Sequence, residues 1–173
     1  MTLIGPEAVV VRGDEAETVG MLGGKGRLLA DSSATGGALS TLRVTLGRGK
    51  DGATPHYHGG SSELFFVVDG SAQVLVGNEV VTARSGDLVV VPPHLPHAFA
   101  AAPDSGADLL IVITPGVERF DYFRLLERIR TGEATVEELL AKQDLFDNHF
   151  LESPSWRDVR EEAAREEAAR SEP

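Results

Sequence analysis

The chain has 173 residues, of which 42% are hydrophobic and 25% charged, and it contains no cysteine. This length suits one domain of ordinary size, and the lack of cysteine excludes disulfides, thiolate nucleophiles and cysteine metal sites. The formal net charge of −11 argues against a nucleic-acid partner, because such proteins need basic side chains to neutralise phosphates. No apolar run approaches the roughly 20 residues that span a bilayer, so we expect no membrane partner.

The beginning of the chain has neither a positively charged region nor a long apolar segment. Residues Met1–Glu7 therefore do not look like a secretory signal, and we expect the protein to be cytoplasmic. Without cysteine, any bound metal must be held by nitrogen and oxygen ligands.

Short apolar runs rich in β-branched residues recur between turn signals from the start of the chain to about residue 115. This rhythm is typical of an all-β sandwich or barrel. Several connectors contain pairs that tolerate positive φ, among them Asp69-Gly70 and Gly77-Asn78, and we expect these to close hairpins. The predicted strands are Ala8–Val11, Val19–Leu22, Arg27–Ala30, Leu39–Leu46, Glu63–Val68, Ala72–Val76, Glu79–Ala83, Asp87–Val91, His97–Ala101 and Asp108–Thr114.

The hydrophobic period changes from two to about three and a half after Pro115-Gly116, which predicts a helix ending at Gly132. Its apolar face would comprise Phe120, Phe123, Leu126 and Ile129. Thr135 and Glu138 have the spacing of a capping box, which predicts the start of a second helix. We expect both helices to pack on the outside of the barrel.

The last segment, from Trp156 onward, alternates acidic, basic and alanine residues. Arg157, Glu161 and Arg165 stand four apart and can pair along a solvated helix face. The alanines opposite have little to bury, so we expect a frayed helix or a dimer contact without a functional role. The chain is thus expected to divide into N-terminal strands at a barrel edge or dimer contact (1–37), a β-barrel core (38–116) and C-terminal helices (117–173).

Four side chains between residues 56 and 97 have the spacing of a metal site. His56 and His58 are two apart, which in a strand puts both imidazoles on one face. After a glycine-rich reversal, Glu63 begins the next strand and points back toward them, and His97 opens a later strand. Three neutral imidazoles and one carboxylate suit a divalent first-row metal, with one or two positions left for water, substrate or dioxygen.

Three further residues, two of them histidines, are expected to take no direct part in this site. Tyr57 should point away from the metal by strand alternation. His94 lies in a proline-rich turn and is expected to be exposed, the alternative being a partner of the metal ligands. His149, near the end of the helical region, is expected to be structural.

The spacing of these residues resembles the two motifs of the cupin superfamily. The first motif is matched by His56, His58, Glu63 and Gly70, and the second by Gly86, Pro92 and His97. Two positions depart from the family pattern, since Lys50 and His94 stand where glycines are expected. The resemblance covers residues 38–115 and implies a double-stranded β-barrel of the jelly-roll type that usually pairs into homodimers.

Strand alternation also predicts which side chains surround the metal. Those expected to share its side are Phe65, Val67, Phe99 and Ala101, with Val89, Val91, Ile111 and Ile113 as further candidates. Each of them taken singly is better explained as ordinary barrel core. Together they would form an apolar substrate pocket for a planar or aromatic organic molecule, because Lys50, Arg43 and Arg48 are the only cations nearby in sequence.

The resemblance does not select one reaction, since similar ligand sets serve dioxygenases, isomerases, decarboxylases, lyases, polyketide cyclases and binding proteins. The first hypothesis is a dioxygenase-type oxidoreductase acting on a phenolic, enolic or polyketide-like molecule. Glu63 would be both ligand and catalytic base, as in the quercetinase-like cupins that the motifs resemble. The second is a redox-neutral cyclase or isomerase, and the third a non-catalytic small-molecule-binding cupin. The metal would be Fe, Mn, Ni, Co, Cu or Zn.

Overall fold

The computed structural model describes residues 8–171, so residues 1–7, which were considered for a secretory signal, lie outside the described range. Ten antiparallel strands form two sheets that share one long strand. The strands are β1 (Thr18–Met21), β2 (Gly24–Ala30), β3 (Ser40–Leu46), β4 (Asp51–Tyr57), β5 (Ser62–Val76), β6 (Glu79–Arg84), β7 (Leu88–Val91), β8 (His97–Ala101), β9 (Ala107–Thr114) and β10 (His149–Phe150).

The two sheets enclose the hydrophobic core between their inner faces. One sheet runs β1-β2-β3-β9-β5-β7 and the other β10-β4-β8-β5-β6. Along β5, Phe65 and Val67 are fully buried whereas Phe66 and Val68 are 38% exposed, which is the period of two expected for a half-buried strand. The predicted all-β jelly-roll barrel with a C-terminal helical extension is confirmed.

The shared strand β5 bends where the sequence predicted a turn. Its pairing with β9 shifts register between Val67 and Asp69, and Gly70 adopts a φ of 74°. The first half of β5 pairs with β7 and β9, and the second half pairs with β6 and β8. The prediction that Asp69-Gly70 closes a hairpin is therefore wrong, because the positive φ serves a bulged bend within one strand. Gly77-Asn78 does close a two-residue hairpin, between β5 and β6.

The N-terminal region contains one further correction. Ala8–Val11 was predicted to be a strand, but these residues are exposed and lie outside any strand. Apolar character alone does not make a strand, since the backbone also needs a neighbour to pair with. The first strand is β1, which forms the edge of the first sheet. It pairs with β2, and β2 pairs in turn with β3.

Four helices follow the barrel strands. They are α1 (Phe120–Arg130), α2 (Val136–Leu140), α3 (Gln143–Phe146) and α4 (Pro154–Ser171). Gly132 follows the end of α1 with a φ of 80°, and the Thr135 hydroxyl accepts a hydrogen bond from the Glu138 N–H at 3.3 Å. Both predicted helix boundaries are thus present.

Helix α1 closes one end of the barrel instead of lying on its outside as predicted. Tyr122, Phe123 and Leu126 line a cavity together with inward-facing barrel residues such as Leu42 and Ile111. The expected apolar face packs on the core, although the residues that it buries most deeply are Tyr122, Phe123 and Leu125. Aromatic side chains bury more apolar surface over the open end of the barrel than they would on a sheet face that is already covered, and this favours the position of α1.

Helix α4 packs across the outer face of the second sheet. Trp156 is 6% exposed and belongs to a cluster with Leu75, Ala98 and Ala100. The small alanines on β8 make room for the indole ring. The prediction that this segment has little to bury is therefore wrong for its first half.

One arginine fastens α4 to the sheet. Arg160 donates hydrogen bonds to Asp51, to the Gln73 side chain and to the Gly49 carbonyl at 2.9, 2.8 and 2.6 Å. Further along the helix, Arg165 donates to the backbone carbonyl of Glu161 and not to its carboxylate. The ladder of ion pairs expected on this face is thus absent from the described residues.

Candidate metal centre

Three strands and one turn bring the four predicted ligand residues together. His56 lies near the end of β4, directly opposite His97 on β8. His58 follows β4 by one residue and shares the face of His56, while Glu63 is the second residue of β5. The intervening turn reverses the chain, so the carboxylate returns to the two imidazoles.

The Glu63 carboxylate lies at the centre of the cluster. Its Oε2 atom is 2.6 Å from Nε2 of His97, 3.0 Å from that of His58 and 3.8 Å from that of His56. One ligand-type atom from each of the four residues lies within 4.8 Å of the others. None of the four residues is more than 5% exposed. A cluster this compact could hold one metal ion.

Each imidazole is oriented by a hydrogen bond from its far nitrogen. The Nδ1 atoms of His56, His58 and His97 lie 2.7, 2.6 and 2.9 Å from backbone carbonyl oxygens. The acceptors are, respectively, the carbonyls of Thr54, Asp147 and Leu95. Since a carbonyl only accepts, each Nδ1 carries a proton, and each Nε2 is directed toward Glu63, where a neutral ring offers its lone pair to a metal.

This donor set fits a divalent transition metal. Three imidazole lone pairs and one carboxylate meet in a buried space, and such acceptors repel one another unless a proton or a cation lies between them. Hydrogen bonds from the far ring nitrogens to carbonyls are also the usual arrangement behind metal-binding histidines. Nitrogen and oxygen ligands of this kind suit the first-row ions predicted from the sequence.

Burial and mutual contacts shift the pKa values within the cluster. Burial lowers the pKa of His56 to about 4. Burial alone would raise the pKa of Glu63, but its contacts with the three imidazoles outweigh this effect and hold the pKa well below its usual range. Burial likewise disfavours a charged His97, yet its hydrogen bond to Glu63 prevails and raises its pKa. The carboxylate is therefore ionised and His56 is neutral, as metal binding requires.

The segment between α3 and β10 holds the loop that carries His58. Asp147 accepts hydrogen bonds from the backbone N–H groups of Gly59 and Gly60 at 2.7 and 2.9 Å, and its own carbonyl accepts from His58. Burial raises the pKa of the Asp147 carboxyl, but these backbone hydrogen bonds outweigh it and lower the pKa. Sequence reasoning missed Asp147, since a single acidic residue at the end of a short helix carries no motif.

The remaining histidines lie beside the cluster without facing it. His94 is exposed, as expected, and adopts a φ of 67°, which explains why the family pattern has glycine there. Its backbone N–H donates to the His58 carbonyl at 2.7 Å. His149 lies on β10 and stacks on Tyr57 with ring centroids 4.9 Å apart, so Tyr57 points away from the cluster.

A cavity of about 30 Å³ adjoins His56 and Glu63. This volume holds roughly two water molecules. Of the predicted pocket residues, Phe99 and Ile111 line the cavity, and Ile113 lines a narrow cleft beside it. The others belong to the core: Phe65, Val67 and Val91 are buried there, and Val89 is partly buried against it. The interior space is small because the side chains of α1 fill the barrel mouth.

Three polar residues that sequence reasoning missed also line this cavity, namely Arg119, Tyr122 and Asn148. Arg119 is 4% exposed and Asn148 is 1% exposed. Both lie beyond the last barrel strand, in a part of the chain that the cupin motifs do not reach. Their approach to the cluster depends on the path of α1 and of the segment before β10.

The cations nearest to the cluster in sequence lie away from the cavity. Arg43 projects from β3 and pairs with Asp108 on β9. Lys50 and Arg48 are exposed. A cation that does line the cavity is Arg119, which is distant from the cluster in sequence.

A larger cavity of about 610 Å³ lies beside α1. Mostly apolar side chains from α1, α2, β4, β10 and the start of α4 line it. Ala53, Tyr122 and Leu126 line both cavities and therefore form the partition between them. The volume is in the range of small-molecule sites.

Comparison with known protein families finds a match to the Cupin domain over residues 42–113. A search of curated proteins finds no match. Within residues 8–171, no helix is both long enough and apolar enough to cross a membrane.

Three solved structures show the same fold. KdgF from Halomonas sp. is 22% identical, with a TM-score of 0.57 over 67% of this chain and 99% of KdgF. Streptomyces Pac13, a nucleoside dehydratase, is 18% identical, with a TM-score of 0.53 over 66% of this chain and 88% of Pac13. An RmlC-like cupin from Shewanella frigidimarina is 23% identical, with a TM-score of 0.52 over 67% and 96%. These similarities concern the fold alone.

Proposed function

We propose that this chain, whose residues 42–113 match the Cupin domain, is a metal-dependent enzyme of the cupin superfamily that acts on a small organic molecule. The observation that carries the proposal is the convergence of three imidazole Nε2 atoms on one buried carboxylate, with every Nδ1 donating to a carbonyl. The proposed metal ligands are His56, His58, Glu63 and His97.

A bound iron, manganese, nickel, cobalt, copper or zinc ion would act as a Lewis acid on a substrate oxygen, and the redox-active ions would also support reaction with dioxygen. The protein contributes a dry interior around this chemistry. Phe99, Ile111 and the aromatic side chains of α1 surround the small cavity and exclude bulk water. Excluding water strengthens every electrostatic interaction within the cavity.

We propose oxygenase chemistry on a phenolic or enolic molecule as the first reaction class. Glu63 lines the cavity and is ionised, because its contacts with the imidazoles keep its pKa low. An ionised carboxylate at this position can take the proton of a substrate hydroxyl, so Glu63 is the proposed catalytic base. The apolar lining favours an aromatic or polyketide-like body.

A substrate of that size needs more room than the small cavity offers. Tyr122 and Leu126 separate this cavity from the larger apolar one. We propose that the organic body of the substrate lies in the larger cavity and that the partition yields to admit its reacting group.

A redox-neutral reaction is the second candidate class, with a cyclase, isomerase or related lyase as examples. Tyr122 favours it, because its phenol lines the same cavity as Glu63, and burial raises the phenol's pKa to about 12 and so keeps it neutral. A neutral phenol can donate a hydrogen bond to a substrate oxygen while the ionised carboxylate accepts a proton. Streptomyces Pac13, with the same fold, is a dehydratase.

We also propose that the protein forms a homodimer. The outer face of the first sheet is apolar, with Phe66, Leu88 and Val90 between 38% and 55% exposed. Phe66 and Leu88 lie opposite each other on neighbouring strands, so the patch is continuous. A contiguous apolar surface of this kind suits contact with a second copy of the chain, and light scattering of the purified protein would measure the association.

Metal analysis of the purified protein and of a His58→Ala variant tests the ligand assignment. We expect about one metal ion per chain in the wild type and loss of most of it in the variant, because one of four ligands is removed. His94→Gly is the matched control, since glycine suits the positive φ and His94 does not face the cluster. Full metal occupancy in His58→Ala would refute the ligand set.

Oxygen consumption separates the two reaction classes. Phenolic and polyketide-like compounds are incubated with the metal-loaded protein under air and under nitrogen. Oxygen uptake coupled to substrate loss supports the oxygenase, whereas equal turnover under nitrogen supports the redox-neutral class. Binding of these compounds without turnover in either atmosphere would indicate a non-catalytic binding protein.

A further inference from the structure

Arg119 is buried, and its guanidinium forms no ion pair among residues 8–171, although its backbone N–H donates to Asp31. Its Nη1 and Nη2 atoms donate to the Phe146 carbonyl at 3.1 Å and to the Asn148 Oδ1 at 3.2 Å. Its guanidinium carbon lies 4.5 Å from the ring centroid of Tyr122, and its Nε has no hydrogen-bond partner. Neutral acceptors and an aromatic face stabilise a buried guanidinium only in part, because its charge stays uncompensated.

A second donor without a partner lies in the same cavity wall. The Oδ1 atom of Asn148 accepts from Arg119, whereas its Nδ2 is buried and makes no hydrogen bond. Arg119 and Asn148 both line the cavity that His56 and Glu63 line. Buried donors are nearly always satisfied in folded proteins, so two unsatisfied donors beside one cavity point to an acceptor group that binds there.

The charge balance indicates that the acceptor group is an anion, an inference that rests on the metal of the proposed function. A divalent ion brings two positive charges, Glu63 offsets one of them, and Arg119 adds another. Tyr122 supplies no negative charge, since burial raises its pKa to about 12. The buried region would therefore carry excess positive charge, which favours an anionic ligand.

We propose that Arg119 and Asn148 bind the carboxylate of the protein's ligand in the cavity beside the metal cluster. A carboxylate offers the planar pair of acceptors that a guanidinium and an amide N–H recognise. The cavity of about 30 Å³ admits a carboxylate of formate size. For a larger acid, the rest of the molecule extends across the partition formed by Ala53, Tyr122 and Leu126 into the apolar cavity.

Calorimetric titration with formate and with benzoate tests the proposal on the metal-loaded and the metal-free protein. An Arg119→Met variant should bind the carboxylates at least about tenfold more weakly, the loss expected for one charge-assisted hydrogen-bonding partner. Arg128→Met is the matched control, because Arg128 is exposed on α1, the helix that begins directly after Arg119, and donates only to a backbone carbonyl. It should bind the carboxylates as the wild type does.

An Asn148→Asp variant keeps the test decisive if Arg119→Met does not fold. It retains the Oδ1 acceptor for Arg119 and places a carboxylate of the chain itself beside the guanidinium. We expect it to fold and to lose formate binding, since the new aspartate carboxylate pairs with the Arg119 guanidinium and repels the formate anion.

Arg119-dependent binding of formate alone supports a small-anion ligand, and Arg119-dependent binding of benzoate supports a larger organic acid. Failure of the wild type to bind either compound, or binding unaffected by both variants, overturns the proposal. The metal content of the same samples is measured separately, so Arg119-dependent binding to a protein that takes up no metal would refute the proposed function and leave the carboxylate site standing.

Discussion

The two sides of the small cavity have different origins. On one side is the barrel wall, defined here as β4, β5, β8 and the turn after β4, which carry His56, His58, Glu63 and His97. On the other side is the cap, defined as α1 with its preceding residue and residues 146–150, which carries Arg119, Tyr122 and Asn148. The wall presents lone pairs for a metal ion, whereas the cap presents donors for an anion.

This difference suggests a division of roles between the two sides. His56, Glu63 and His97 lie on paired strands of the wall, so backbone hydrogen bonds hold them in place. Within the cap, Asp147 and β10 are joined to the wall by hydrogen bonds to His58 and β4, whereas α1 rests on side-chain packing and on a few hydrogen bonds such as that from the Gly20 N–H to Glu127. We therefore expect wall substitutions to affect metal binding and stability, and substitutions in α1 to affect mainly which ligand is bound.

The largest expected effect comes from Phe65→Ala in the barrel wall. The Phe65 ring is fully buried, 5.4 Å from Phe99 and 6.1 Å from His97 between centroids. Its removal should lower the free energy of unfolding by about 3–5 kcal/mol, measured by urea denaturation. The neighbouring Phe66→Ala is the matched control and, measured on the monomer, should cost less than about 1 kcal/mol, because its side chain faces outward. Equal losses in the two variants would contradict the strand alternation.

A smaller effect is expected from Leu126→Ala in the cap. Leu126 is partly buried and separates the two cavities, so truncation should cost about 1–2 kcal/mol, less than a fully buried leucine would. Metal content should be unchanged, and benzoate affinity should rise because the partition is opened. Leu140→Ala, which lines only the larger of these two cavities, is the comparison. Loss of metal in Leu126→Ala would show that α1 also helps to hold the metal-binding side chains of the wall in place.

The smallest effect is expected outside both regions, on α4. Arg160→Ala removes the hydrogen bonds to Asp51, Gln73 and Gly49 and should cost about 1 kcal/mol of unfolding free energy. Arg165→Ala, one turn further along and exposed, should stay within about 0.5 kcal/mol of the wild type. Thermal denaturation of the two variants measures this difference. If Arg160→Ala proved as stable as Arg165→Ala, α4 would be held by Trp156 alone.

The clustering of His56, His58 and Glu63 in the wall could be predicted because their placement is local. A spacing of two within a strand puts His56 and His58 on one face, whatever the rest of the fold does. The short turn before Glu63 then limits where its carboxylate can go. His97 needed the family motif as well, since the pairing of β4 with β8 joins segments far apart in sequence.

Other predictions failed where one local pattern fits two structures. Asp69-Gly70 tolerates a positive φ, which serves a hairpin turn and a bulged bend equally well, and only the continuity of pairing along β5 decides between them. The charged segment after residue 156 has few apolar residues, yet Trp156 and Ala163 meet a surface of small side chains that the helix sequence does not reveal.

The sequence by itself thus determined the barrel, its strand alternation and the set of side chains that could bind a metal, because periodicity and short turns act over a few residues. Only the tertiary structure decided that α1 closes the barrel mouth, that the interior cavity is small, and that Arg119 and Asn148 line it together with His56 and Glu63. These features depend on the direction in which a helix leaves the last strand, and that direction is set by the burial of Tyr122 and Phe123 over the open end of the barrel.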